Sequence, residues 1–125
     1  MSAPAREGPV LDEATLQRLR ELDPGGRTGL LARLFHAYES SALRLLDQLA
    51  VARQQVDLPA IRHVTHTLKS SSASIGALHL SQLCAAAEVS ARDAQTDGID
   101  EQLDAMRTEL DDVLKTIRHP PDPLA

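Results

Sequence analysis

The chain has 125 residues, 42% of them apolar and 2% aromatic, and a formal net charge of −5 at pH 7. This length suits one domain and the apolar share allows a core, whereas the acidic balance and the shortage of aromatic rings disfavour a nucleic-acid surface. A single cysteine excludes an internal disulfide, and no apolar run approaches the roughly 18–20 residues of a membrane span. Because the start of the chain also lacks the apolar core of a signal peptide, we expect a cytoplasmic protein that does not bind membranes.

The first part of the chain predicts a flexible tail and then a short helix. Residues 1–9 contain two prolines and no apolar periodicity. A helix is predicted from about Asp12 to Leu22, where acidic residues favour the start and leucines form an apolar stripe. The run Pro24-Gly25-Gly26 ends it.

Four longer amphipathic helices follow, with apolar residues spaced by three and four positions. They are predicted from about Arg27 to Gln54, Leu58 to Ile75, Ala77 to Ala94 and Ile99 to Arg118. Asp57 followed by Pro59 favours the start of the second of these helices, and Gly76 separates it from the next. A flexible tail is predicted over residues 119–125, which contain three prolines.

The sequence shows no strand-like alternation and no internal repeat, so the predicted fold class is all-α. Four long helices with short links pack best as an up-down four-helix bundle, with the short extra N-terminal helix across one end. The bundle domain would span residues 10–118. Since each apolar stripe finds a partner within such a bundle, we expect a monomer.

One side of the third predicted helix carries polar side chains that could support chemistry. At about 100° per residue, this face collects Arg62, His66, Lys69, Ser70 and Ala73, while the opposite face is apolar. A neutral imidazole is a nucleophile, and each neighbouring cation favours an incoming phosphoryl group by on the order of 1–4 kcal/mol at about 4 Å. The small side chains leave room for the loop of another protein.

The same residues also fit two plainer interpretations. A histidine with lysine and arginine on an exposed helix face is commonly a solvated surface and nothing more. His63 and His66, three positions apart, could begin a metal site, but a tight site needs three or four ligands and the nearby candidates are weak. We therefore predict no metal and no cofactor of the chain's own.

The segment from His66 to Ala77, with the sequence HTLKSSSASIGA, resembles the signature of histidine-containing phosphotransfer domains. Four later residues fit the continuation of that pattern: Leu80, Leu83, Cys84 and Glu88. The specific match covers residues 66–88, and the helix order extends it weakly to nearly the whole chain. The resemblance implies a four-helix bundle that takes a phosphoryl group from the aspartate of one receiver domain and passes it to the aspartate of another.

The resemblance also implies a role for each residue of the site. His66 would be the phosphoacceptor, and Lys69 the cation that neutralises the phosphoryl group. Ser70 stands where the family often has glycine, so the partner's approach is slightly tighter, although the hydroxyl could donate to the phosphoryl group. Glu88 stands where some members have a glutamine that contacts the histidine. The remaining residues of the surface for the phosphoryl group and the partner would be Arg62, Ala73 and Arg92.

Two outcomes are open at Glu88. Its carboxylate could repel a phosphohistidine, or it could hydrogen-bond the other imidazole nitrogen and so fix the tautomer. Together with Cys84, this residue makes the stand-alone or hybrid-kinase type of domain a better match than the module at the front of chemotaxis kinases.

The predicted function is that of a phosphohistidine carrier in a multistep two-component phosphorelay, without an ATP site or hydrolytic activity of its own. Its partners would be receiver domains of a hybrid sensor kinase, a response regulator or both, and Mg²⁺ would belong to the receiver. The alternative is a helical docking adaptor that binds a receiver or kinase without carrying phosphate. A bundle enzyme is less favoured, because no Glu-x-x-His pair projects from the inner helix faces.

Overall fold

A computed structural model describes residues 5–119. These residues form five α-helices and no strand, so the prediction of an all-α fold is confirmed. The helices are α1 (Glu13–Glu21), α2 (Leu30–Gln54), α3 (Leu58–Ser74), α4 (Leu78–Arg92) and α5 (Ile99–Arg118). Over the same residues, no helix combines the length and the hydropathy that a membrane crossing requires.

The core lies between the four longer helices and consists mainly of aliphatic side chains. Its largest fully buried members include Leu68, Leu80, Leu103, Met106 and Leu110. Each long helix packs on the next one along the chain. Arg53 joins α2 to α5 through ion pairs with Asp100 and Asp104. This pattern is consistent with the predicted up-down bundle.

Aspartates begin α1 and α3. The carboxylate of Asp12 accepts a hydrogen bond from the backbone N–H of Thr15, and that of Asp57 accepts one from Ala60. Each bond satisfies an N–H group that has no partner within the first turn of its helix. The prediction that Asp57 and Pro59 open the third helix is confirmed.

The predicted start of α2 is wrong by three residues. We expected the helix to begin at about Arg27, whereas it begins at Leu30. The cause is Gly29, whose φ of +66° is left-handed and interrupts helical backbone. Asp23 accepts the backbone N–H groups of Thr28 and Leu30 and thereby closes the preceding turn.

The segment before α1, residues 5–12, lies against the turn between α3 and α4; we call it the N-terminal arm. Leu11 is buried in the core. The backbone N–H of Asp12 donates to the carbonyl of Gly76 at 2.8 Å. The arm therefore contacts the one turn that joins the two helices carrying the predicted site.

The N-terminal arm also contacts α5 through one side chain. Nη1 of Arg6 lies 2.8 and 3.0 Å from the two carboxylate oxygens of Glu109, and 3.5 Å from Asp112. The sequence did not predict this contact. Residues 1–4 and 120–125 of the two predicted tails lie outside the described residues.

Candidate functional site

The outer face of α3 presents the predicted residues at the surface. Arg62, His66, Ser70 and Ala73 are exposed, and Lys69 is half-buried. The opposite face of the helix is buried in the core: Ile61, Val64, Leu68 and Ser72. The helical period therefore separates the exposed polar surface of α3 from its packing surface.

One carboxylate on α4 joins the histidine to the lysine. Oε2 of Glu88 lies 2.7 Å from Nδ1 of His66, and Oε1 lies 2.5 Å from Nζ of Lys69. The side chain of Glu88 is 14% exposed, whereas that of His66 is 62% exposed. The hydrogen bond from Lys69 and, after it, the one from His66 lower the pKa of Glu88. The carboxylate is therefore ionised at neutral pH.

The contact with Glu88 decides which imidazole nitrogen can react. An ionised carboxylate only accepts hydrogen bonds, so the ring must carry a hydrogen on Nδ1. In the neutral ring, the lone pair then lies on Nε2, on the side of the ring away from Glu88. Because most of the ring is exposed, the nucleophilic nitrogen is available to a partner. Of the two outcomes left open at Glu88, the structure shows the hydrogen bond.

Two hydrogen bonds that the sequence did not predict hold α3 against its neighbours. The hydroxyl of Ser81 donates to the backbone carbonyl of Lys69 at 3.0 Å, so α4 holds the turn of α3 that carries the lysine. On the buried side, the hydroxyls of Tyr38 and Ser72 lie 2.8 Å apart and link α2 to α3. The available sequence signal was the presence of polar side chains within otherwise apolar stripes.

Each of the two helices that carry the site, α3 and α4, also presents an arginine at the surface. Arg62 is exposed one turn before His66 on α3, and Arg92 is exposed at the end of α4. Nε of Arg92 donates to Asp93 at 3.0 Å. The pKa of Asp93 is lowered first by this hydrogen bond and further by the charge of Arg62, which therefore lies near the end of α4. The role of Asp93 as a partner of Arg92 was not predicted, although its position directly after Arg92 was a usable signal.

Cys84 belongs to the packing behind the site. It is fully buried, one turn before Glu88 on α4. Burial raises the pKa of the thiol to about 12, so the side chain is uncharged. Cys84 therefore acts as a small buried side chain in the core. Within residues 5–119, no three His, Cys, Asp or Glu side chains are grouped so that they could hold a metal ion.

Comparisons with known proteins agree with this geometry. The family model of the Hpt domain matches residues 33–116, which include all of α3 and α4. Among solved structures, the chain is similar to the crystal structure of histidine-containing phosphotransfer protein B (HptB) from Pseudomonas aeruginosa PAO1. The TM-score is 0.79 with 26% sequence identity, over 90% of this chain and 94% of that chain. No curated protein matches the chain.

The two matches support each other. The family model spans more than half of the chain, and it includes every residue that forms the site on α3 and α4. The similarity to HptB extends beyond it to nearly the whole length. The resemblance inferred from the segment around His66 is thereby confirmed: the chain belongs to the Hpt domain family, the histidine phosphotransfer proteins of two-component phosphorelays.

Proposed function

We propose that the chain carries a phosphoryl group on Nε2 of His66 and exchanges it with the aspartates of receiver domains. The observation that carries this proposal is the double contact of Glu88, which leaves Nε2 as the nucleophile of an exposed ring. The receivers belong to a hybrid sensor kinase, a response regulator or both. The carrier is a monomeric up-down bundle that works in the cytoplasm without an ATP site or hydrolytic activity of its own.

The transfer step needs no proton to leave the imidazole ring. The lone pair of Nε2 attacks the phosphorus of an aspartyl phosphate, the N–P bond forms, and the P–O bond to the aspartate breaks. The receiver regains a free carboxylate. The ring keeps its hydrogen on Nδ1 and becomes positively charged, and the hydrogen bond to Glu88 stabilises that charge. In the reverse step, a neutral imidazole leaves with the same hydrogen in place.

Lys69 supplies positive charge next to the phosphoryl group. Its side chain is 32% exposed and lies one turn after His66, so its flexible stem can bring Nζ to the phosphoryl oxygens. One such charge at about 4 Å contributes on the order of 1–4 kcal/mol. The hydroxyl of Ser70 is a second donor on the same face, and Ala73 leaves space for the partner.

The charges around the site complement a receiver. Arg62, Lys69 and Arg92 place three cations around His66, against the carboxylates of Glu88 and Asp93, on a chain whose net charge is −5. A receiver presents an aspartyl phosphate, Mg²⁺ and the carboxylates that bind it, all of which are the partner's own. A locally basic patch favours approach of such an acidic surface.

The test is phosphoryl transfer from a charged receiver domain in Mg²⁺, read by intact mass. Wild type is expected to gain the mass of one phosphoryl group, and His66→Gln none. Because His66 is exposed, the variant should keep the helical circular dichroism and melting temperature of wild type. His36→Gln is the matched control, since His36 is exposed on α2, where it lines a groove with Ile117 of α5, and should leave labelling unchanged.

Two results would contradict the proposal. Labelling of His66→Gln would place the acceptor elsewhere. A wild-type chain that binds charged receivers but never gains phosphoryl mass would support the alternative, a docking adaptor that carries no phosphate.

A further inference from the structure

A serine on α4 binds the backbone of the lysine that α3 contributes to the site. Oγ of Ser81 donates to the carbonyl oxygen of Lys69 at 3.0 Å, across 12 positions of the sequence. The hydroxyls of Ser71 and Ser74 donate at 3.3 and 3.0 Å to carbonyls of α3, the helix on which these serines themselves lie. The bond of Ser81, by contrast, joins one helix of the site to the other.

This bond lies where the core meets the surface. Leu68 and Leu80, the chain neighbours of Lys69 and Ser81, are fully buried, whereas Lys69 itself is half-buried. Contacts between aliphatic side chains have no preferred direction, so they tolerate small slides of one helix along another. A hydrogen bond is directional and weakens steeply when its atoms are misaligned. Ser81 therefore limits how far α3 slides along α4.

The position of α3 along α4 decides whether Glu88 reaches the reacting groups. Glu88 lies seven residues after Ser81, which is about 10 Å along the helix axis and on nearly the same side of α4. From there its carboxylate contacts Nδ1 of His66 at 2.7 Å and Nζ of Lys69 at 2.5 Å. A displacement of about 1 Å in such an arrangement can slow a reaction by on the order of 100-fold.

The side chain of Lys69 has to move during the proposed reaction. In the unphosphorylated chain, Nζ contacts Oε1 of Glu88. A phosphoryl group on Nε2 of His66 would lie on the side of the ring away from Glu88, so Nζ reaches it by turning toward that side. The stem of a lysine is flexible enough for this motion. Since Ser81 holds the backbone carbonyl of Lys69, the motion is confined to the side chain.

We propose that Ser81 is a positioning residue for phosphoryl transfer. Its hydroxyl fixes α3 on α4, so that Glu88 orients the ring of His66 and Lys69 turns from Glu88 to the phosphoryl group about a fixed backbone. Ser81 acts through these residues and takes no part in the bonds that form and break. This inference rests on the proposed function, since it concerns the reaction of His66 with a receiver domain.

The primary test is single-turnover transfer from a receiver domain that phosphorylates the wild-type chain. Ser81→Ala is expected to lower the rate at saturating receiver about three- to tenfold, with the half-saturating receiver concentration unchanged. Ser81→Thr keeps the hydroxyl and should restore most of the rate. Ser74→Ala is the matched control, because it removes a serine hydroxyl whose 3.0 Å bond stays within α3, and it should match wild type.

Tyr38→Phe separates positioning from stability. The hydroxyls of Tyr38 and Ser72 lie 2.8 Å apart in the core and link α3 to α2. Removal of this buried bond should lower the melting temperature at least as much as Ser81→Ala does, while the rate at saturation stays that of wild type. Equal slowing by Tyr38→Phe and Ser81→Ala would show that a loosened bundle lowers the rate, and it would overturn the positioning role.

A double-mutant cycle with Glu88→Ala identifies the residue through which Ser81 acts. Without Glu88, Ser81→Ala should slow transfer by less than it does in wild type, because one of the groups that Ser81 positions is gone. Independent effects of the two changes would overturn the positioning role. Equal rates at saturation for wild type and Ser81→Ala would also overturn it, and would leave the phosphocarrier function standing. If no receiver phosphorylates wild type, the proposed function itself fails, and the role of Ser81 fails with it.

Discussion

The carboxylate of Glu88 accepts a hydrogen bond from each of the two side chains that the proposed reaction uses, His66 through Oε2 and Lys69 through Oε1. A glutamine has one acceptor oxygen and no charge, so it cannot make both contacts in the same way. The acid therefore keeps the hydrogen on Nδ1 of the ring and holds the lysine beside the ring before a phosphoryl group arrives.

Replacing Glu88 with alanine is expected to slow phosphoryl acceptance by about tenfold or more, because nothing then keeps Nε2 unprotonated and the ring oriented. Glu88→Gln retains an acceptor for Nδ1 and should lose less. The rates are measured at a saturating concentration of the receiver domain, so that differences in receiver affinity do not affect them. Equal rates in wild type and both variants would show that the tautomer is fixed by something else.

Protonation of Glu88 also makes the stability of the folded chain depend on pH. Its pKa in the folded chain lies below the ordinary value of 4.5, first because of the hydrogen bond from Lys69. The contribution to stability is therefore fully present above about pH 4.5 and is lost as pH falls through the lowered value. Between about pH 6 and about pH 3, wild type should lose more melting temperature than Glu88→Gln. An equal loss of melting temperature in wild type and Glu88→Gln over this pH range would contradict the proposed link between the pKa of Glu88 and stability.

At the residue scale, the helical period alone predicted which side chains of α3 share the exposed face with His66. It did not predict which side chains meet across helices. The bond from Ser81 to the carbonyl of Lys69 depends on the register between α3 and α4, and that register is set by a turn whose geometry the local pattern does not determine. The resemblance placed Glu88 near the ring, but the contact with Lys69 appeared only in the structure.

At the scale of elements, the turn between α3 and α4 combines two constraints at Gly76. Its φ of +87° suits glycine, and a Cβ there would lie 3.1 Å from the backbone nitrogen of Asp12 and from Cβ of Thr15. The N-terminal arm and the start of α1 therefore pack directly on this turn. Any side chain at position 76 has to displace backbone rather than a flexible side chain.

Gly76→Ala is expected to lower the free energy of unfolding by about 2–3 kcal/mol, through backbone strain and overpacking together. Gly98→Ala is the matched control, since Gly98 has a φ of +83° and open space around it. Backbone strain alone should cost about 1 kcal/mol there. Urea unfolding measures both values, and equal losses would show that the arm does not pack tightly on the turn.

The ends of most elements could be predicted because single residues mark them. Asp57 with Pro59 marks the start of α3, and Gly76 falls at a turn as expected. The start of α2 could not be predicted, because a glycine such as Gly29 is tolerated inside helices and only its backbone angles show that the helix begins after it. Val56 has a left-handed φ of +48° and left no signal either, since valine is not a residue that predicts a left-handed turn.

At the scale of the whole molecule, the ion pair of Arg6 with Glu109 joins residues 103 positions apart. Composition predicted a flexible tail over residues 1–9. Local sequence patterns carry no information on contacts between distant segments, so the contact of Arg6 with Glu109 could not be predicted from them. The side chain of Glu109 is only 8% exposed, although glutamate side chains usually face solvent. A buried carboxylate needs its partner, so this contact matters more than a surface ion pair.

Arg6→Ala is expected to lower the free energy of unfolding by about 1–3 kcal/mol, since it leaves the buried carboxylate without two hydrogen bonds. Arg107→Ala serves as the control. Its ion pair with Asp111 is 3.8 Å long and exposed, and should contribute less than about 0.5 kcal/mol. In a Glu109→Gln background, the cost of Arg6→Ala should shrink. A cost that stays the same there would mean that Arg6 acts through other contacts.

The position of the site on two consecutive helices has a consequence for how the chain acquires its native structure. His66 and Glu88 are only 22 positions apart, and the densest helix packing is between α3 and α4. Contacts between residues near in sequence cost little loop-closure entropy, and helical proteins rich in them fold within microseconds to milliseconds. The pairing of Arg6 with Glu109, by contrast, requires most of the chain. During synthesis, a nascent chain that has emerged as far as Asp93 already contains every residue of the α3–α4 hairpin that carries the candidate site, before α5 has been made.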